Sequence, residues 1–373
     1  MASIVVAGAL AAKPDNGGEA WVRLSWVLGL RRLGFDAWLL EEAGPETAAR
    51  GHSFFERTVA RHGLADRAVL VTPEATAGAL NRADLEELAG EAAALVNISG
   101  NLRDPALLGR FANRAYIDLD PGFTQLWQLQ GLLGDQLESH DRHFTVALNI
   151  GGKGCEIPTA GIDWVPLPPP VLIDLWTPPP DPTLDRFTTV ASWRNALGRP
   201  EIDCHAYTLK HHQLRRFSDL PGRVAPPLEI ALDIHPDEAE EAESLRRAGW
   251  RVVDAVSATG DTDSFREYVR GSGAEFSVTQ GIYAETRSGW ISDRTAHYLA
   301  CGRPAVVQDT GIPSLSPAQD GVLVFSEPAE AAAAIEAIAG SYATHSAAAR
   351  TYAERNLDSD RVLTTMLEAA GIG

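Results

Sequence analysis

The feature that most constrains this chain is a strand–loop–helix–strand run at its very start. Ser3–Ala7 is a short β-branched run, and a loop carrying Lys13, Pro14, Asp15, Asn16, Gly17 and Gly18 follows it. An apolar-periodic stretch from Glu19 to Leu33 closes at Gly34, and Ala37–Leu40 is apolar again. A strand feeding a helix that feeds a second strand is a right-handed β-α-β unit with parallel strands. Each such sheet must cover its faces with helices, so the chain is committed to an α/β class.

The alternation continues. Val69–Val71, Ala94–Ile98 and Tyr116–Leu119 read as strands, with a helical stretch around Asn81 to Ala93. A crowd of prolines then interrupts it, at positions 166, 168, 169, 170, 178, 179, 180 and 182. Proline lacks the backbone donor and stiffens an extended chain, so this region predicts a connector. Beyond it the logic repeats. Phe187–Ala191, Leu228–Leu232, Trp250–Val253, Glu275–Val278 and Ala305–Val307 read as strands. Glu238–Ala248, Asp293–Ala300, Ala329–Ala339, Ala347–Asn356 and Asp360–Ala370 read as helices. The spacing predicts an N-terminal Rossmann-like domain over 1–178 and a C-terminal one over 185–350. Terminal helices over 351–373 are expected to pack back toward the N-terminal domain. The 373 residues are ample for two cores. Ligands of such folds bind beyond the carboxyl ends of the strands, expected here between the two halves.

Charge and cysteine count narrow the function classes. The formal net charge is −18, which repels phosphate backbones and anionic lipid, so no nucleic-acid partner is expected. Cys155, Cys204 and Cys301 are too few and too scattered for a disulfide framework or a structural zinc site. No apolar stretch approaches the ~20 residues of a membrane helix. The apolar run Ile4–Leu10 lacks a basic flank and reads as a strand, so a cytoplasmic protein without stable membrane insertion is expected. No Gly-x-Gly-x-x-Gly follows the first strand, which argues against a dehydrogenase.

The most informative stretch runs from Ser288 to Gly311. It holds a helix, the turn Ala300-Cys301-Gly302-Arg303-Pro304, a short strand, and Thr310-Gly311. This order resembles the nucleotide-sugar-binding segment of GT-B glycosyltransferases, and the chain is similar to bacterial members of that superfamily. The resemblance implies two Rossmann-like domains facing across a cleft. The helix N-terminus would approach the donor diphosphate, where unpaired N–H groups and the helix dipole favour an anion. Ser292 or Asp293 can cap this helix, and Arg294 is placed to meet a phosphate. Many retaining members carry two glutamates eight positions apart, at places that here fall on Gly289 and His297. Asp293 and His297 share a helix face and could replace a lost glutamate; the plain alternative is that one caps and the other packs.

The resemblance assigns further residues. Arg194, after the strand that opens the second half, and then Lys210 would meet the diphosphate. Gly17 and Gly18 would let the backbone come close to the donor, with glycine supplying positive φ. In the first domain, Asp118, Phe123, Trp127, His140 and Phe144 suit an acceptor pocket, offering polar groups and rings to stack on a sugar. His143 or Asp120 would be the general base of an inverting enzyme. His140 and His143 have no convincing third ligand, so no metal site is expected. A nucleotide diphosphate sugar is the expected co-substrate, with no other cofactor. The implied activity is hexosyl transfer to a small-molecule acceptor, such as a natural product. The alternatives are a GT-B-like epimerase or phosphorylase, or a non-catalytic sugar-nucleotide-binding protein.

Overall fold

The computed structural model describes every residue except Glu46, Ala48, Glu74, Asp181, Asn195, Ala196, Asp203, Cys204, 313–320 and Gly373. The chain divides into two compact units. The first holds Met1–Val146, Thr159–Leu172 and Ser359–Gly373; the second holds Ala147–Pro158 and Ile173–Asp358. The division is therefore not one cut near the prolines. The segment Ala147–Pro158 belongs with the second unit, and the last helix belongs with the first.

The first unit carries an eight-stranded sheet. Its strands are β1 (Ser3–Ala7), β2 (Asp36–Glu42), β3 (Ala68–Val71), β4 (Thr76–Gly78), β5 (Ala94–Ile98), β6 (Arg114–Asp118), β7 (Arg142–Thr145) and β8 (Trp164–Pro166). Their order is β4-β3-β2-β1-β5-β6-β7-β8, all parallel except the β3–β4 pair. Chain order reverses between β1 and β5, which makes their carboxyl ends the topological switch point. The helix Gly17–Arg32 is buried along most of its length, with Trp21, Trp26, Leu24 and Leu30 turned inward. Gly29 is the contact point for the last helix, Ser359–Ala370. A Cβ there would sit 2.5 Å from Leu363 Cδ1. An Arg32–Asp360 ion pair of 3.2 Å closes the same contact.

The second unit holds β9 (Phe187–Ser192), β12 (Leu228–Asp233), β13 (Arg251–Asp254), β14 (Ala274–Ser277), β15 (Ala305–Gln308) and β16 (Val322–Phe325), with a two-stranded ribbon of β10 (Glu201–Ile202) and β11 (His205–Ala206). The six-stranded sheet is parallel throughout, ordered β13-β12-β9-β14-β15-β16, and its switch point lies between β9 and β14. Phe187, Phe217, Phe276 and Phe325 form its aromatic centre, with the Phe276 and Phe325 rings stacked at 5.2 Å. Asn149 anchors the inserted segment. Its amide donates to the Arg287 carbonyl at 2.9 Å and the Gly311 carbonyl at 2.7 Å. Gly289 lies so close that a Cβ would stand 2.9 Å from Asn149 Cγ, and its φ is +74°. Among the described residues, no helix is long and apolar enough to cross a membrane.

Buried histidines lower the acid stability, His140 and His297 among them. His140 donates from Nδ1 to the Gln136 carbonyl at 2.7 Å, so Nε2 accepts from the Asn97 amide at 3.1 Å. Burial pulls its pKa down to about 4. His297 lies between the Trp176 ring, 4.2 Å away, and the Phe265 ring, with neither ring nitrogen hydrogen-bonded. Burial takes it to about 3. Both are neutral when folded and titrate near 6.5 when unfolded. Stability is therefore fully present above that pH and is lost as pH falls toward the folded values. Each histidine withdraws on the order of 3 kcal/mol by about pH 4. Melting temperatures between pH 7.5 and 4.5 should fall steeply, and His297→Leu should flatten the slope. An unchanged slope in that variant would contradict the burial of a neutral imidazole.

Candidate active site

In the first unit, chemistry gathers at the carboxyl ends of β1, β2 and β6. Glu41, fully buried in β2, accepts the N–H groups of Leu10 at 2.8 Å, Ala11 at 2.6 Å and Ala12 at 2.8 Å. Burial raises its pKa, against three amide donors that favour the ionised form. One carboxylate thus shapes the loop after β1. Asn16 caps the next helix, its Oδ1 accepting the Glu19 N–H at 3.1 Å. Gly17 and Gly18 are the first residues of that helix, and the residue with positive φ is Asp15, at 56°. The glycines are therefore not used for left-handed backbone.

Lys13 and Arg23 both reach the Glu19 carboxylate, Lys13 at 3.0 Å. Arg23 is buried, and Gly8 makes room for it, since a Cβ there would lie 2.8 Å from Arg23 Cγ. Burial alone would raise the Glu19 pKa, but Arg23 and Lys13 draw it down to about 2. Asp120 feels the same charges. Burial, with Asp118 and Glu19, pushes it up to about 6, while Lys13 and Arg23 oppose the rise. Two carboxylates in one cluster are thus tuned apart, one a permanent anion and one able to exchange a proton near neutrality.

The other residues expected in an acceptor pocket are placed differently. Asp118 is fully buried and accepts from Thr124 Oγ1 at 2.7 Å, Thr145 Oγ1 at 2.8 Å, Gln125 Nε2 at 2.9 Å and the Asp120 N–H at 3.0 Å. It positions the turn that presents Asp120, with no oxygen left to face a substrate. His143 donates from Nε2 to the Leu137 carbonyl at 2.7 Å, and its ring packs against Tyr116 and Trp164. His140, Phe123 and Phe144 are interior. Of the aromatic candidates, only Trp127 is part-exposed.

In the second unit, the switch point between β9 and β14 is framed by the helix Asp293–Ala300. Ser292 caps it, its Oγ accepting the Arg294 N–H at 3.2 Å. Arg294 turns inward. Its guanidinium donates to Glu275 Oε1 at 2.6 Å, the Val190 carbonyl at 2.7 Å and Ser277 Oγ at 2.5 Å. It clamps the helix to β9 and β14 and is not offered to a phosphate. His297 is likewise interior, so it does not stand in for the missing glutamate. Asp293 lies part-buried in the helix's first turn. Arg194, beyond β9, carries an exposed guanidinium paired with Glu238 at 2.6 Å. Lys210 opens the helix Lys210–Arg216, its N–H donating to Gln280 Oε1 at 2.8 Å. The buried His211 beside it feels the Arg194 charge, and burial takes its pKa to about 4.

A chain of amides holds these loops in place. Gln308 accepts the Thr279 N–H at 3.1 Å and donates to Gln213 at 3.3 Å, and Gln213 donates to Thr208 at 2.7 Å. Scattered glutamines carry no sequence signal. The Glu19–Arg23 pair did carry one, since i, i+4 opposite charges share a helix face.

No family model matches the sequence, and no curated protein does. Solved structures match along the whole chain. An alpha-glucosyltransferase (AGT) in complex with UDP gives a TM-score of 0.63 at 11% identity, covering 100% of both chains. Anabaena Alr3699/HepE in complex with UDP and glucose gives 0.61 at 12%, again with 100% of both chains covered. The fold is that of the GT-B glycosyltransferases. AviGT4, a glycosyltransferase involved in avilamycin A biosynthesis, shares this GT-B fold with a TM-score of 0.56 at 14% identity, covering 100% of this chain and 97% of its own. One expectation is overturned here. Alpha-glucosyltransferase structures of the same fold hold 13-mer DNA with an A:G mismatch or an HMU base. A net charge averages over the whole surface, so −18 does not exclude a nucleic-acid partner for a chain of this fold.

Proposed function

We propose that this protein transfers a hexosyl group from a nucleotide diphosphate sugar to a hydroxyl of a small-molecule acceptor. The observation that carries this is the full-length likeness to glycosyltransferases solved with UDP. The local geometry is compatible with the following roles. The second unit binds the nucleotide, with Arg194, Lys210 and the N-terminus of the helix Asp293–Ala300 offsetting the diphosphate charge. This positive set stands in for a divalent cation, so activity is expected to survive a chelator. In the first unit Asp120 accepts the proton. The acceptor oxygen bonds to the anomeric carbon, the bond from that carbon to the diphosphate oxygen breaks, and the nucleoside diphosphate leaves with the electron pair. The acceptor's proton passes to Asp120, while Glu19 stays ionised.

Arg194→Ala should weaken nucleoside diphosphate binding about 10-fold or more by isothermal titration, the loss of a charge-assisted contact. Its melting temperature should stay within about 1 °C of wild type, because exposed ion pairs contribute little. Full donor affinity and full turnover in that variant would remove Arg194 from the site. The transfer itself is tested by product analysis with the nucleotide sugar that binds, against a panel of hydroxyl acceptors.

A further inference from the structure

The fully buried Glu41 carboxylate is bonded to the backbone of the loop after β1. Its Oε2 accepts the N–H groups of Leu10 at 2.8 Å and Ala11 at 2.6 Å, and its Oε1 accepts that of Ala12 at 2.8 Å. Three consecutive donors need a group that only accepts, and glutamine would turn an amino group toward one of them. The helix Ala49–Arg61 bears on the same loop. Its Gly51 lies so close to the Ala11 carbonyl that a Cβ would overlap it, and its Arg50 pairs with Asp15. The Lys13 N–H closes the turn onto the Leu10 carbonyl at 3.0 Å.

Lys13 therefore leaves the loop at a fixed point. Its ammonium reaches Glu19 at 3.0 Å on a side chain 46% exposed. A flexible stem in water keeps its head in place only if its backbone is held. Burial pushes Asp120 upward, and Lys13 is the strongest charge acting on it, ahead of Asp118, Glu19 and Arg23. The Tyr116 phenol, whose ionisation burial disfavours, faces the same carboxylate as a neutral group. Resting on the reading of Asp120 as the proton acceptor, we propose that Glu41 is a positioning residue for glycosyl transfer. It holds Leu10–Ala12 so that the Lys13 charge stays where it acts on Asp120. Glu41 itself touches neither donor nor acceptor, and the loop delivers its effect.

The Asp120 carboxyl carbon, followed by NMR in protein carbon-13-labelled at aspartate and assigned by its loss in Asp120→Asn, reports the titration without turnover. In wild type the midpoint should lie at about 6. Lys13→Ala should raise it by about half a pH unit or more, the loss of an opposite charge. Glu41→Gln should raise it too, because the loosened loop no longer places the ammonium. The double variant should move it no further than Lys13→Ala alone. A direct effect of the Glu41 charge has the opposite sign, since removing an anion lowers a neighbouring carboxyl's midpoint. A midpoint that falls or stays in Glu41→Gln would overturn the proposal, as would one that adds to the Lys13→Ala shift in the double. Lys13 is at the surface, so Lys13→Ala is expected to fold, and an unmoved midpoint there would overturn the proposal by itself. A Glu41→Gln chain that did not fold would make the carboxylate a support of the fold and overturn its assignment to Lys13. Where transfer is observed, the acid limb of kcat/KM should follow the same shifts. Midpoints that move as stated in a protein that transfers no sugar would strike the proposed function and leave the Glu41–Lys13 linkage standing.

Discussion

Replacing Arg294 with methionine is expected to lower the melting temperature by roughly 10 °C and to leave nucleotide affinity unchanged. Glu275 is wholly buried, and its Oε1 is the partner of Arg294 Nε at 2.6 Å, on a side chain only 13% exposed. Removing the cation leaves an uncompensated carboxylate inside a low-dielectric core, which costs about 3–5 kcal/mol. In a unit of about 200 residues each kcal/mol moves the midpoint by about 2–4 °C. The Val190 carbonyl and the Ser277 hydroxyl lose a donor at the same time. Pairing Arg294→Met with Glu275→Gln should recover much of the loss, because the buried charge goes with its partner. Thermal melts and nucleotide titrations of the two singles and the double settle the role. A phosphate ligand would show the reverse pattern, with wild-type stability and lost affinity.

Replacing Asp120 with asparagine is expected to lower kcat/KM by about 10²–10⁴, the usual range for a positioned proton acceptor. Nucleotide affinity should hold and the melting temperature at neutral pH should not fall, because the substitution removes a carboxylate whose ionised form burial, Asp118 and Glu19 disfavour. The pH dependence follows from the raised pKa. Asp120 is protonated below about 6 and then cannot accept a proton, so log kcat/KM should fall with unit slope beneath that pH. Glu19, ionised down to about 2, contributes no limb in this range. Glu19→Gln removes a neighbouring negative charge and leaves Lys13 and Arg23 to act on Asp120, so the limb should move to lower pH. His143→Ala should leave the limb in place, since the imidazole serves the Leu137 carbonyl. A limb that vanished with His143 and survived Asp120→Asn would reverse the assignment.

What was legible in the sequence was local. The helix Asp293–Ala300 was read residue for residue, because Ser292 is a strong cap and Gly302, at φ +65°, is a natural stop. The first β-α-β unit was equally plain. Strands β4, β7, β8, β10, β11 and β16 escape the sequence reading, each being only two to four residues long. The site was read less well, for a physical reason. Spacing puts Asp293 and His297 on one helix face, yet only tertiary packing decides which way a face points. His297 meets Trp176, far away in sequence, and Arg294 meets Glu275 on a separate strand. The place of Asp118 at a strand end predicts a ligand. Its use as a hub for Thr124, Gln125 and Thr145 depends in part on the neighbouring short strand β7, which carries Thr145. Asp120 follows a strand in a turn, which makes it a candidate in the sequence and in the proposal alike. What tunes it, Glu19 with Lys13 and Arg23, converges from the helix and loop after β1.

The most direct measurement is calorimetric titration of the protein with UDP, GDP, dTDP, ADP and CDP, first without metal and then with magnesium. Saturable binding of one of them without metal, weakened at least tenfold in Arg194→Ala, is the expected result. No binding of any nucleotide under either condition would leave the GT-B fold standing and contradict glycosyl transfer as the function.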